Sequence, residues 1–243
     1  MFENFIIPIY FCLIVILQSA IGVGILVLGT PFLLILNYNL IDILYLLLPI
    51  SIFTSFTNLL IMKLSNNTTD ISTYKELIKF FKICLPSIII GLIFLKFFEN
   101  YINFKLLVAI VIFLSIGIVT LKDYFKFRIN FFRISILSMI GFIHGLTNSG
   151  GTLMSLALST NEKKNYARLN ITFFYLLLAF FQYILTIIIF YEKFNFPKNF
   201  DLLLIILIGI AIGNILNKFI SYNMYKIFIN FLAILSGIIL CLT

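Results

Sequence analysis

The chain has 243 residues, 62% hydrophobic and only 11% charged, with a formal charge of +8 and a mean hydropathy of +1.16. Soluble domains carry roughly 25% charged residues, so a soluble fold is excluded and lipid must be the solvent for most of the surface. The basic residues sit in short loops between apolar runs, which excludes a nucleic-acid-binding face and leaves no room for a separate soluble domain.

Runs such as 83–98 and 202–211 are apolar all round, without the alternation a barrel strand needs, so the expected fold class is an all-α polytopic membrane protein. Eight segments are predicted: 5–36, 40–62, 77–98, 104–121, 131–160, 167–191, 202–219 and 223–242.

The first lacks the basic start and cleavage site of a signal peptide and is expected to stay in the mature protein. It is broken at Gly22-Val23-Gly24, just after Gln18 and Ser19. Residues 5–20 would span about 24 Å as a helix, short of a hydrocarbon core of roughly 30 Å. Segment two carries Thr54, Ser55 and Asn58, and segment three carries Ser87-x-x-x-Gly91. Segment five is broken at Thr147-Asn148-Ser149-Gly150-Gly151, with His144 before the break and Thr152 after it. Segment six holds Arg168, Asn170 and Thr172, and segment seven Gly209-x-x-x-Gly213. Cys12, Cys84 and Cys241 lie in separate apolar stretches and read as small hydrophobic residues, while Pro31 and Pro49 are expected to set kinks or helix starts.

The two breaks superpose with an offset of 126 residues, pairing Gln18 with His144, Ser19 with Gly145, Gly22 with Asn148 and Gly24 with Gly150. Ser87 and Gly91 then match Gly209 and Gly213, Lys96 matches Lys218, Lys105 matches Lys226 and Ser115 matches Ser236. An internal duplication follows, with repeats at 1–125 and 126–243, each a broken or re-entrant hairpin followed by three transmembrane helices. If all eight segments cross, the lysines and arginines divide ten to seven; if segments one and five are hairpins, they divide thirteen to four. The second division is the asymmetry of the positive-inside rule. Three crossings per half then make the repeats inverted, with both termini outside.

Hairpin tips meeting near the midplane would present backbone N–H groups and the positive ends of helix dipoles, beginning near Ile25 and Thr152, to a small anion. The candidate binding residues are Gln18, Ser19, Gly22, Gly24, Thr54, Asn58, His144, Thr147, Asn148, Ser149, Gly150, Gly151, Thr152 and Asn170. Arg168 either attracts an anion at the inner mouth or anchors topology. His144 is the only histidine; because its counterpart Gln18 cannot titrate, a neutral hydrogen-bonding role is expected over a proton relay.

The stretch from Gly141 to Gly151, with its diverged partner from Gln18 to Gly24, resembles the duplicated glycine motif of the sulfite exporter TauE/SafE family, and the segment plan agrees along the whole chain. The resemblance implies a plasma-membrane permease for sulfite, a sulfonate or another small organic anion, commonly moved outward. It carries a binding role onto Gly22, Gly24, Gly150 and Gly151. The chain departs from the motif at Ile25 and Asn148, where glycine is common, and the anion is left open. The expected partners are that anion and the bilayer, with no nucleic acid, metal or cofactor; a homo-oligomer is left open. Two other classes stay open: a membrane subunit of a multi-component transporter, and an intramembrane enzyme, for which the chain offers no zinc-protease motif or paired intramembrane acids.

Overall fold

The computed structural model describes residues 3–65, 74–125, 133–158, 164–194 and 202–221, with scattered positions between 224 and 238. The described residues are helical with no strand: α1 (Glu3–Ile21), α2 (Ile25–Ile35), α3 (Leu40–Leu64), α4 (Tyr74–Phe98), α5 (Phe104–Phe125), α6 (Ile134–Thr147), α7 (Gly150–Leu158), α8 (Lys164–Ile189) and α9 (Leu202–Phe219), with a 3-10 turn at Tyr191–Lys193. Helices α3, α4 and α8 are long and apolar enough to cross a membrane. The expected eighth segment, together with Lys226 and Ser236, lies for the most part outside the described residues.

The distribution of polar groups is that of a lipid-solvated protein. Large apolar side chains such as Ile9, Ile90, Leu106, Ile188 and Leu204 face outward, whereas Gln18, Ser51, Thr54, Ser55, His144, Thr172 and Gln182 are fully buried. Hydrocarbon solvates the first set at no cost, and the second must find hydrogen bonds inside.

Segments one and five each divide into two helices that fold back on themselves. The Tyr10 ring stacks on Phe32 at 3.7 Å and its hydroxyl donates to the Leu28 carbonyl at 2.8 Å. A Cβ built on Gly29 would lie 3.4 Å from Ile14, and one on Gly24 would lie 3.0 Å from the backbone nitrogen of Gln18. Contacts at 10/32, 14/29 and 18/24 define an antiparallel hairpin. In the second, Gly150 sits against the Ile140 carbonyl and His144, which returns α7 along α6. Helix α2 has 11 residues and α7 has 9, so they reach about 16 and 13 Å, too short to cross. Pro31 and Pro49 both fall inside helices, so neither marks a helix start.

The paired small residues explain how the hairpins are held. Gly91 of α4 rests on the Phe142 carbonyl and the Leu146 nitrogen of α6. Gly213 of α9 rests on the Ile16 carbonyl and the Ala20 nitrogen of α1, where an added Cβ would stand at 2.5 and 3.2 Å. Ile16 and Phe142, like Ala20 and Leu146, are 126 residues apart. Small residues spaced by four let backbones approach this closely in lipid. Helices α3 and α8 run antiparallel: the Tyr45 hydroxyl near the start of α3 donates to the Phe190 carbonyl just beyond α8 at 2.9 Å.

Candidate functional site

The tip of the first hairpin is a turn only glycine fits easily. Gly22 has φ of +98°, and a Cβ there would stand 2.8 Å from Thr172 Oγ1 and 3.2 Å from the Arg168 carbonyl of α8. Gln18, in the last turn of α1, spans the gap between α1, α2 and α3. Its Nε2 donates to Ser55 Oγ at 3.0 Å and to the Ser51 carbonyl at 3.2 Å, while its Oε1 accepts the Ile25 N–H at 3.0 Å. The Leu26 N–H donates to Tyr175 Oη at 3.1 Å. The donors expected to be open at the head of α2 therefore have side-chain acceptors in this conformation.

The second tip begins where Asn148 closes α6 in the left-handed conformation, at φ of 60°. A short polar side chain tolerates that region better than most. Asn148 Nδ2 donates to Thr30 Oγ1 on α2 at 2.9 Å, tying this tip to the first hairpin. The Ser149 hydroxyl donates to the Thr147 carbonyl at 3.2 Å, and the Thr152 N–H donates to the Ser149 carbonyl at 3.0 Å. Helix α7 starts at Gly150, two residues before the expected Thr152. The edge of the Tyr175 ring lies against Gly151, where a side chain would overlap it. Tyr175 thus touches the heads of both α2 and α7.

Several side-chain atoms of α3, α8 and the second hairpin are buried with no hydrogen-bond partner among the described residues: Thr54 Oγ1, both ring nitrogens of His144, Asn148 Oδ1, Thr152 Oγ1, Asn170 Oδ1 and Gln182 Oε1. Each such group costs about 1–3 kcal/mol if it stays unsatisfied. Gln182 Nε2 donates to the His144 carbonyl at 2.8 Å, which places its other amide atom near the second hairpin. Asn170 stands apart, turning its amide to the Tyr166 carbonyl of its own helix at 3.1 Å. A half-turn of the Asn148 amide would let Thr30 donate to Oδ1 and bring the nitrogen round in its place.

A closed polar ring supports the first tip from the other side. Arg168 donates to the Ser19 carbonyl and, at 2.7 Å, to Asn214 Oδ1. Asn214 Nδ2 donates to Asn58 Oδ1 at 2.7 Å, and Asn58 Nδ2 donates to Ser19 Oγ at 3.1 Å. Asn217 adds a hydrogen bond to the Ala20 carbonyl at 2.5 Å. A guanidinium and an amide thus satisfy the carbonyls that end α1, which have no acceptor role left inside the helix.

Compared with known families, the chain matches the model of the sulfite exporter TauE/SafE family over residues 7–240. The chain belongs to that family. No curated protein and no solved structure matches it. TauE/SafE proteins are membrane permeases that export sulfite and related anions, and they are transporters rather than enzymes. The matched stretch contains both hairpin tips and the ring around Ser19.

Within this TauE/SafE chain, Gln18, Ser19, Gly22, Asn58 and Arg168 come together at the first tip, and Thr147, Asn148, Ser149, Gly150, Gly151 and Thr152 form the second. Tyr175, Gln182, Asn214 and Asn217 were not expected. Each is a polar side chain inside an apolar segment, a position that in lipid demands a partner.

Proposed function

We propose that this chain is a secondary transporter of the cell membrane that exports a small anion such as sulfite, a sulfonate or a related organic acid, held between the two hairpin tips near the bilayer midplane. The observation that carries this is the set of buried hydroxyl, amide and imidazole groups on and beside the tips that have no hydrogen-bond partner among the described residues. These are neutral groups able to hydrogen-bond an oxyanion without a fixed counter-charge, so the anion can leave as readily as it enters.

The heads of α2 and α7 add the positive ends of two helix dipoles. An anion oxygen arriving at α2 would replace Tyr175 Oη or Gln18 Oε1 on the N–H groups they occupy. The two repeats, 1–125 and 126–243, are read as inverted: α3 and α8 hold corresponding places in the halves and run antiparallel, and Gly91 and Gly213 meet corresponding residues of the opposite hairpins. Rocking of such halves about a fixed central site gives alternating access. In this reading both termini lie outside, and the ends carrying Lys63 and Lys218 face the cytoplasm.

The test is thermal stabilisation of the purified protein by sulfite, sulfonates and small carboxylates, since a ligand of the folded state stabilises by RT ln(1 + [L]/Kd). At least one of these anions should raise the melting temperature in a concentration-dependent way, and Thr152→Val should weaken that response. If none does, the hairpin tips do not form an anion site.

A further inference from the structure

A cavity of about 250 Å³ lies where the end of α3, the start of α8 and the end of α9 converge, next to the polar ring that supports the first hairpin tip. It is lined by Met62, Asn165, Arg168, Asn214, Asn217 and Lys218, among others, and no carboxylate among the described residues lines it. Arg168 and Asn217 are each only 7% exposed, so the cavity has a built polar floor as well as a surface lysine at its rim. Lys164 closes the neighbouring edge, donating to the Asn217 carbonyl and, at 2.6 Å, to the Ile220 carbonyl.

The opposite end of α3 offers a contrast. Helix α3 has 25 residues, about 37 Å, and at its other end a cavity of about 230 Å³ is lined by Asn39, Asp42, Glu99, Asn100 and Lys193. There Lys193 is paired with Glu99 at 2.5 Å, and Asp42 adds a second carboxylate. One cavity joins two cationic side chains to three asparagine amides; the other is net negative.

We infer that the cavity between α3, α8 and α9 is a second anion-binding site, a loading vestibule in which Lys218, Arg168 and the amides of Asn165 and Asn217 hold a small oxyanion before it passes the Ser19 ring to the hairpin tips. Guanidinium and ammonium groups form charge-assisted hydrogen bonds with oxyanions, and the asparagine amides add neutral donors. The ring gives the vestibule its connection inward: Arg168, which lines the cavity, also donates to the Ser19 carbonyl at the first tip. This rests on the transporter reading for its purpose, though not for its chemistry. The carboxylates Asp42 and Glu99 make the cavity at the far end unsuited to an anion.

The experiment is calorimetric titration of the purified full-length protein with sulfite in neutral detergent at low ionic strength, comparing wild type with Lys218→Gln, Lys218→Arg, Lys193→Gln and Thr152→Val. Wild type should bind two equivalents. Lys218→Gln should lose one of them or weaken it about tenfold, Lys218→Arg should retain both, and Lys193→Gln should match wild type. Thr152→Val should lose the other equivalent. A single equivalent that disappears in Thr152→Val and is untouched by Lys218→Gln would overturn the vestibule and leave the hairpin site standing. Loss in Lys218→Gln with no effect of Thr152→Val would support the vestibule and overturn the hairpin site. Equal losses in Lys218→Gln and Lys193→Gln, or no sulfite bound at all, would overturn the vestibule.

Discussion

The hydroxyl of Tyr175 accepts the backbone N–H of Leu26 at 3.1 Å, and the edge of the same ring lies against Gly151. A single buried side chain therefore holds the head of one hairpin while covering the head of the other. Tyr175→Phe keeps the ring and removes the acceptor. Losing a buried partner costs about 1–3 kcal/mol, so the variant should melt at a lower temperature without ligand. If an anion oxygen competes with Tyr175 Oη for that N–H, the variant should bind sulfite several-fold more tightly. Melting curves across a sulfite titration read both effects at once.

Thr54→Val and Thr152→Val separate folding from binding. Both hydroxyls are buried and without a partner among the described residues, so exchanging them for a methyl of similar shape removes a desolvation penalty of about 1–3 kcal/mol. The ligand-free melting temperature should stay level or rise. Anion-induced stabilisation should nonetheless fall, more for Thr152, which belongs to the second tip. A drop in ligand-free stability would show that these hydroxyls have structural partners.

The glycines of α4 and α9 should be intolerant of a single methyl. Gly91→Ala drives a Cβ into the Phe142 carbonyl, and Gly213→Ala puts one 2.5 Å from the Ile16 carbonyl. Overpacking of this kind costs about 1–3 kcal/mol. At Gly117 an added Cβ meets nothing within 4 Å among the described residues, so Gly117→Ala should change stability by no more than about 0.5 kcal/mol. Chemical unfolding of the three variants in one detergent makes the comparison.

His144 is expected to act as a neutral hydrogen-bonding group. It is fully buried, and Gln18 stands at the corresponding place in the first hairpin. His144→Gln should therefore keep the pH profile of anion flux between about pH 5.5 and 8, the range in which an ordinary histidine titrates. Loss of pH dependence in this variant alone would assign His144 to proton coupling.

Much of this was legible in the sequence because lipid makes polar residues conspicuous. Gly22, Gly24 and the Thr147-to-Gly151 run interrupt helices where helices should not break, and the structure turns both segments back at those points. The pairing of Ser87 and Gly91 with Gly209 and Gly213 pointed to close packing, and the structure sets Gly91 and Gly213 on backbone atoms of the opposite hairpins. Tyr175 was not legible, since nothing in its neighbourhood of phenylalanine and leucine marks it as a contact to Leu26, 149 residues away. The same holds for Asn214, whose role depends on Arg168 and Asn58 arriving from two other helices. Spacing within one segment reports the partners a helix offers itself, while a ring closed by four elements exists only after they pack.

The occupied N–H groups of α2 were also hidden. Sequence placed donors near Ile25, but the acceptors come from Gln18, one turn before the break, and from Tyr175 in another helix. A helix head in lipid needs acceptors when no anion is bound, and these two side chains supply them.

The role proposed for the two hairpin tips is to form the site through which an anion crosses the membrane. Flux of sulfite across sealed vesicles containing only this purified chain tests it most directly, with Thr152→Val as the matched control. Saturable, protein-dependent sulfite flux is expected in the wild type, with a reduced rate or weakened half-saturation in a Thr152→Val protein that is folded and equally abundant. Absence of flux in the wild type across imposed potentials and ion gradients, or flux indifferent to Thr152→Val, would contradict it.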